Sequence, residues 1–182
     1  VLAQQYWYQP FKMINTADSP HTLYIDATAP ANLTASGVRS AVERAWTAWN
    51  SVGCASPKVA NGGFAAGVVP DPTDNTDAFS VTPIWITSQS DPKYWAIFGS
   101  RFVTALAVPR AYAGVLETCD IYLNAADHQW SLATPVPSNS LDVESTVLHE
   151  AGHCLGLDHF GPFFNVMYKS IAHGQNAREL SD

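Results

Sequence analysis

A chain of 182 residues is long enough for one domain with a sizeable core. At 47% hydrophobic and 14% charged it does not read as disordered, and a formal net charge of -7 leaves no basic footprint for nucleic acid or anionic lipid. Its longest apolar run, residues 102–108, falls far short of a membrane span.

In chain order, residues 21–29 ("HTLYIDATA") predict a strand bounded by Pro20 and Pro30. Asn32 to Thr34 is a glycosylation sequon, but Thr34 also suits a helix N-cap, and the cap is preferred. From Thr34 to Val52 apolar residues recur at helical spacing, and Gly53 supplies a stop. Trp46 and Trp49 share one face of that helix and are expected as core anchors. The loop at 70–77 gathers Asp71, Asp74 and Asp77, so calcium is possible there. It lacks EF-hand spacing, no specific motif supports the ion, and a solvated turn is expected. Residues 78–87 favour β structure, with Pro83 arguing for an edge or a bulge. Strands are also expected at 103–108, ended by Pro109, and at 119–124, where Cys119, Ile121 and Leu123 share the core face. A second helix is expected from near Ser140, with Asp142 and Glu144 in its first turn, to Gly156.

The chain begins at Val1, without a methionine or signal peptide, which fits a processed or trimmed polypeptide. Cys54, Cys119 and Cys154 permit at most one internal disulfide, with all three pairings open and three buried thiols as the alternative. Few lysines, many aromatics and abundant Ser, Thr and Asn lean toward an extracellular protein.

Residues 149–159 read "HEAGHCLGLDH" and hold half of the chain's six histidines. His149 and His153, at i and i+4, emerge on one helix face and can share a metal ion. Glu150 lies about 100° around the helix, near that ion without having to bind it. Gly156 can take φ > 0 and turn the chain sharply, bringing His159 back as a third ligand. Three neutral imidazoles with an open fourth position describe a catalytic zinc site. By chance, the five fixed positions would fall together roughly once in 10⁵ sequences of this composition. A histidine-rich structural helix needs neither the glutamate nor the glycine there.

His149-Glu150-x-x-His153-x-x-Gly156-x-x-His159 resembles the extended zinc signature of the metzincin metalloendopeptidases. "NVMY" (Asn165 to Tyr168) is similar to their methionine turn, with Met167 beneath the metal. Within the metzincins the chain most resembles the bacterial matrixin-like enzymes, where tyrosine follows that methionine directly. "LYIDA", "AWTAWNSV", "ALAV" followed by "CDIYLN", "DHQW" and "RELSD" stand in matrixin-like order. Phe160 departs from the family's usual serine, and the chain stops at Asp182, short of the family's last helix.

The resemblance implies an α+β fold: a twisted, mostly parallel five-stranded sheet with an antiparallel edge strand, and two main helices. It also implies a single catalytic domain over 1–182, with an N-terminal subdomain (1–156) and a C-terminal one (157–182) carrying the methionine turn. It implies one catalytic Zn²⁺ on His149, His153 and His159, with Glu150 as general base. Ala105, Leu106, Ala107 and Val108 become the edge strand that pairs with an extended peptide. The wall beyond the zinc would come from about Asn165 to Ser170. His21, His128 and His173 do not form a structural-zinc pattern, so no second zinc is expected. The expected protein is a secreted, monomeric zinc endopeptidase acting on peptide or protein substrates, with no nucleic acid and no membrane span. A catalytically silent metal-binding module is the competing class, and retention of Glu150 argues against it. A protease confined to glycoproteins or to one partner is not distinguished by sequence.

Overall fold

Thr34 has extended backbone, and its hydroxyl accepts from Gly37 N–H at 3.2 Å, so it caps the first helix as its sequence position predicts. The computed structural model describes residues 21–26, 28–52, 59–64, 80–112, 115–162 and 165–180. The elements are β1 (His21–Ile25), α1 (Ala35–Asn50), β2 (Val59–Phe64), β3 (Ser80–Val81), β4 (Ile84–Ile86) and α2 (Tyr94–Phe98). They continue as β5 (Ala105–Tyr112), β6 (Val115–Asn124), β7 (Gln129–Ser131), β8 (Ser140–Asp142) and α3 (Val143–Cys154). The acidic loop at 70–77 and Cys54 lie outside the described residues. No helix among the described residues is long and apolar enough to cross a membrane.

β1 pairs in parallel with β2 and β3, and β4 in parallel with β6, whose other side carries antiparallel β5. The two groups join where β3 meets β6. Cys119 N–H donates to Ser80 Oγ at 2.8 Å, and Val81 N–H to Asp120 Oδ1 at 2.9 Å. The result is a mostly parallel layer, β2-β1-(β3, β4)-β6-β5, with β5 the antiparallel edge, as the resemblance implies. Pro83 falls between β3 and β4. It has no N–H for the ladder, so it interrupts an interior strand and does not mark an edge.

Both large helices cover one face of this layer. α1 buries Val38, Ala41, Val42, Ala45 and Trp46, while α3 is buried on nearly every side. Cys119, Ile121 and Leu123 alternate into the same core, as predicted for β6, and Tyr122 points into a second cluster with Tyr94, Ile97 and Phe98 of α2. Trp46 is a core anchor. Trp49 is half-buried and donates its indole N–H to Leu148 C=O at 2.8 Å, tying α1 to α3 one residue before His149.

Cys119 and Cys154 form a disulfide with Cα atoms 5.6 Å apart, joining β6 to the last turn of α3. Both are buried, so the expectation of buried cysteines holds for this pair but that of free thiols does not.

Several element boundaries differ from expectation, and one short helix is not foreseen. β1 ends at Ile25, because the Asp26 carboxylate accepts from Thr28 N–H and Oγ–H and turns the chain. α3 starts at Val143, since Ser140–Asp142 is spent on β8, paired in parallel with β7. Asp142 is therefore the N-cap, accepting from Ser145 N–H at 2.9 Å, and Glu144 occupies the first turn as predicted. Pro109 does not end β5; the strand continues to Tyr112, because an edge strand needs ladder bonds on one side only. The five-residue α2, closed by Gly99 at φ 61, is too short to show helical periodicity.

Candidate active site

α3 presents His149 and His153 one turn apart, with Nε2 atoms 3.1 Å from each other. The helix closes with Gly156 at φ 88, where Gly156 N–H donates to His153 C=O and Leu157 N–H to Gly152 C=O. That reversal returns the chain so that His159 Nε2 lies 3.2 Å from His153 Nε2. The glycine turn expected from sequence thus brings together the three imidazoles expected to meet. Among the described residues they are the one group of three side chains spaced to hold a metal ion.

The tautomers follow from the partners. His149 Nδ1 lies 2.6 Å from Val166 C=O and His153 Nδ1 2.7 Å from Leu157 C=O. A carbonyl only accepts, so each Nδ1 carries the hydrogen and each Nε2 offers a lone pair. Lone pairs converging this closely repel one another and suit a cation between them. Zn–N bonds of 2.0–2.1 Å in a tetrahedron set ligand nitrogens about 3.3 Å apart, close to the spacing found. Burial lowers the His149 pKa to about 4, helped by the neighbouring imidazoles, and burial lowers that of His153 too. At neutral pH both are therefore in the neutral, ligating form. The donor set fits zinc.

Glu150 is 6% exposed, and its Oε2 accepts from Ala107 N–H at 2.8 Å. Burial pushes its carboxyl up to about 7, against the opposing effect of the Ala107 hydrogen bond. The same bond fastens α3 to the free edge of β5. Ala105, Leu106 and Ala107 line a cleft of about 510 Å³ that also takes in His149, Glu150 and His159. Val108 packs instead against the Tyr122 cluster. Lys169 to Ile171 form part of the opposite wall, and Ser170 and Ile171 also line a larger hollow of about 930 Å³.

Met167 is 1% exposed and lies in a turn held by Asn165, whose Oδ1 accepts from Met167 N–H at 2.8 Å. Phe160 N–H donates to Met167 C=O at 2.8 Å, so the segment after His159 closes over this turn. A Cβ on Gly152 would stand 2.3 Å from Met167 Sδ, so only glycine lets the turn approach α3 this closely. Sequence reasoning missed Gly152, as well as the Val166 and Leu157 carbonyls and the Ala107 amide. The last three are backbone groups and carry no residue-type signal.

Behind the site, Asp142 is 0% exposed and takes two hydrogen bonds from Arg178, to Oδ2 at 2.9 Å and to Oδ1 at 2.5 Å. Ala177 N–H donates to Ser145 Oγ at 2.7 Å. These contacts staple the segment that follows the methionine turn to the first turn of α3.

A comparison with curated proteins finds no match. The family model for Matrixin matches residues 87–182, which is more than half of the chain and includes the edge strand, the histidine cluster and the methionine turn. With that match and three convergent imidazoles in hand, the chain belongs to the matrixin family of zinc metalloendopeptidases.

Proposed function

We propose that Glu150 is the general base of peptide-bond hydrolysis, with His149, His153 and His159 as the zinc ligands. The observation that carries this is a buried carboxyl with a pKa raised to about 7, beside three Nε2 atoms that converge within one cleft. When bound, zinc supplies Lewis acidity, bringing the pKa of a coordinated water toward about 7 and polarising the scissile carbonyl. Glu150 accepts the proton of the attacking water and returns it to the leaving amine, a relay that works best with a pKa near the working pH. Ala107 N–H orients the carboxylate for that exchange. The outward groups of β5 offer an extended peptide a strand to pair with.

The protein acts as a secreted monomer in this reading. The Cys119–Cys154 disulfide supports secretion, because such bonds persist in oxidising compartments. The test is cleavage of a mixed peptide library by the parent and Glu150→Ala, with zinc measured on the same samples. Glu150→Ala should keep the metal and lose about 10² to 10⁴ in rate. Retention of most of the parent's rate sinks the assignment, and a parent without zinc-dependent cleavage leaves a silent metal-binding module.

A further inference from the structure

β5 offers a substrate less backbone than its length suggests. Thr104 C=O accepts from Asn124 N–H at 2.9 Å, and the register continues with Leu106 opposite Tyr122 and Val108 opposite Asp120. Antiparallel alternation therefore turns the backbone groups of residues 104, 106 and 108 toward β6, and those of 105, 107 and 109 outward. Two bonds check this independently. Ala107 N–H reaches away from β6 to Glu150, and Cys119 N–H, opposite Pro109, donates to Ser80 on the far side of β6. The outward edge thus holds N–H and C=O at Ala105, an N–H engaged by Glu150 and a C=O at Ala107, and only a C=O at Pro109. One residue later the pairing with β6 shifts register, between Arg110 and Ala111, so the alternation breaks.

We propose that Pro109 is a specificity-determining residue that ends the substrate's backbone ladder on one side of the cleft. The inference rests on the proteolytic reading above. Pro109 lines the cleft, and its ring occupies the place of the donor that a paired peptide needs there. The absence of that donor does not depend on whether the peptide runs parallel or antiparallel to β5, because the same residues face outward in both cases. A substrate residue over Pro109 can still donate its N–H to the Pro109 C=O but has no partner for its carbonyl, so it gains one bond fewer than an unbroken edge would give. At the other end of the edge stands Phe102, 83% exposed and also lining the cleft. Backbone pairing on the Pro109 side of the cleft therefore contributes less to substrate choice than pairing at Ala105, on the Phe102 side.

The experiment uses two peptide series built outward from one bond that the parent cleaves, one extended N-terminally and one C-terminally. kcat/KM is measured for the parent, Pro109→Ala and Pro109→Val, both variants restoring the N–H. In the parent, one series should gain little at the step that reaches Pro109. In the variants the same step should raise kcat/KM about three- to tenfold, the size of one recovered hydrogen bond. Using ratios between peptides cancels any change in folded or metal-loaded fraction, which zinc content and melting temperature report separately. If both variants stay flat, Pro109 only guards the edge against other chains and the proposal falls. It also falls if the parent gains as much as the variants at that step. A parent that cleaves nothing in a zinc-dependent way overturns the proteolytic reading, and this one with it.

Discussion

Replacing Glu150 by glutamine in the metal-free protein should change how its stability depends on pH. Burial raises the carboxyl from its ordinary 4.5 to about 7, with the Ala107 N–H opposing. Below pH 4.5 the group is protonated in folded and unfolded chains alike and contributes nothing. From there to about pH 7 the unfolded chain releases the proton while the folded one keeps it. Stability then falls as pH rises, by about 1 kcal/mol per pH unit, and levels off about 3 kcal/mol lower. Glutamine still accepts from Ala107 and does not titrate. The variant should therefore gain steadily on the parent across this window, by up to about 3 kcal/mol. His149 works in the opposite sense. Its pKa is lowered from 6.5 to about 4, so its contribution is complete above 6.5 and is lost as pH falls toward 4. Between pH 4.5 and 6.5 the Glu150 contribution opposes that of His149 in the parent, and the variant keeps the histidine contributions, His153 acting in the same sense as His149. The assay is urea unfolding of both proteins in chelator, from about pH 4 to about pH 8. A difference that is constant with pH, or that shrinks as pH rises, refutes the burial argument.

His153→Ala should lose both zinc and cleavage, because two imidazoles bind the ion poorly, whereas the parent should hold one tightly bound zinc per chain after gel filtration in metal-free buffer; two would contradict the donor count. The Cys119→Ala/Cys154→Ala double variant should lose about 3–4 kcal/mol by denaturant titration, the chain-entropy value for a loop closed over 35 residues. Arg178→Ala should cost about 2–3 kcal/mol, below the fully buried range because Arg178 is 22% exposed, and Arg178→Lys should recover less than half because an ammonium cannot span both Asp142 oxygens.

The zinc signature was legible because a helix converts spacing into direction: residues 149 and 153 share a face wherever they occur, and Gly156 is free to turn. Thr34 was legible as a cap for the same local reason. Pro109 was misjudged because the local sequence does not say whether a strand will have one neighbour or two. Ser140 and Asp142 look like helix-start residues, and only pairing with β7 makes them a strand. The disulfide required knowing that β6 and the end of α3 meet, which no spacing among three cysteines encodes. The tautomer-setting carbonyls of Val166 and Leu157 lie beyond any reading by residue type, since every residue carries one.

Met167 is shielded from solvent, with its thioether against the bare face of Gly152. Oxidation to the sulfoxide would add a polar oxygen to that buried contact. A folded molecule therefore resists the reaction, and an oxidant reaches the sulfur only when the turn lifts away from α3. Sulfoxide at residue 167, counted by mass spectrometry over time in dilute peroxide, then records how often this turn opens. Zinc should slow that clock: Val166 C=O in the same turn holds His149, so lifting the turn disturbs a ligand of the metal.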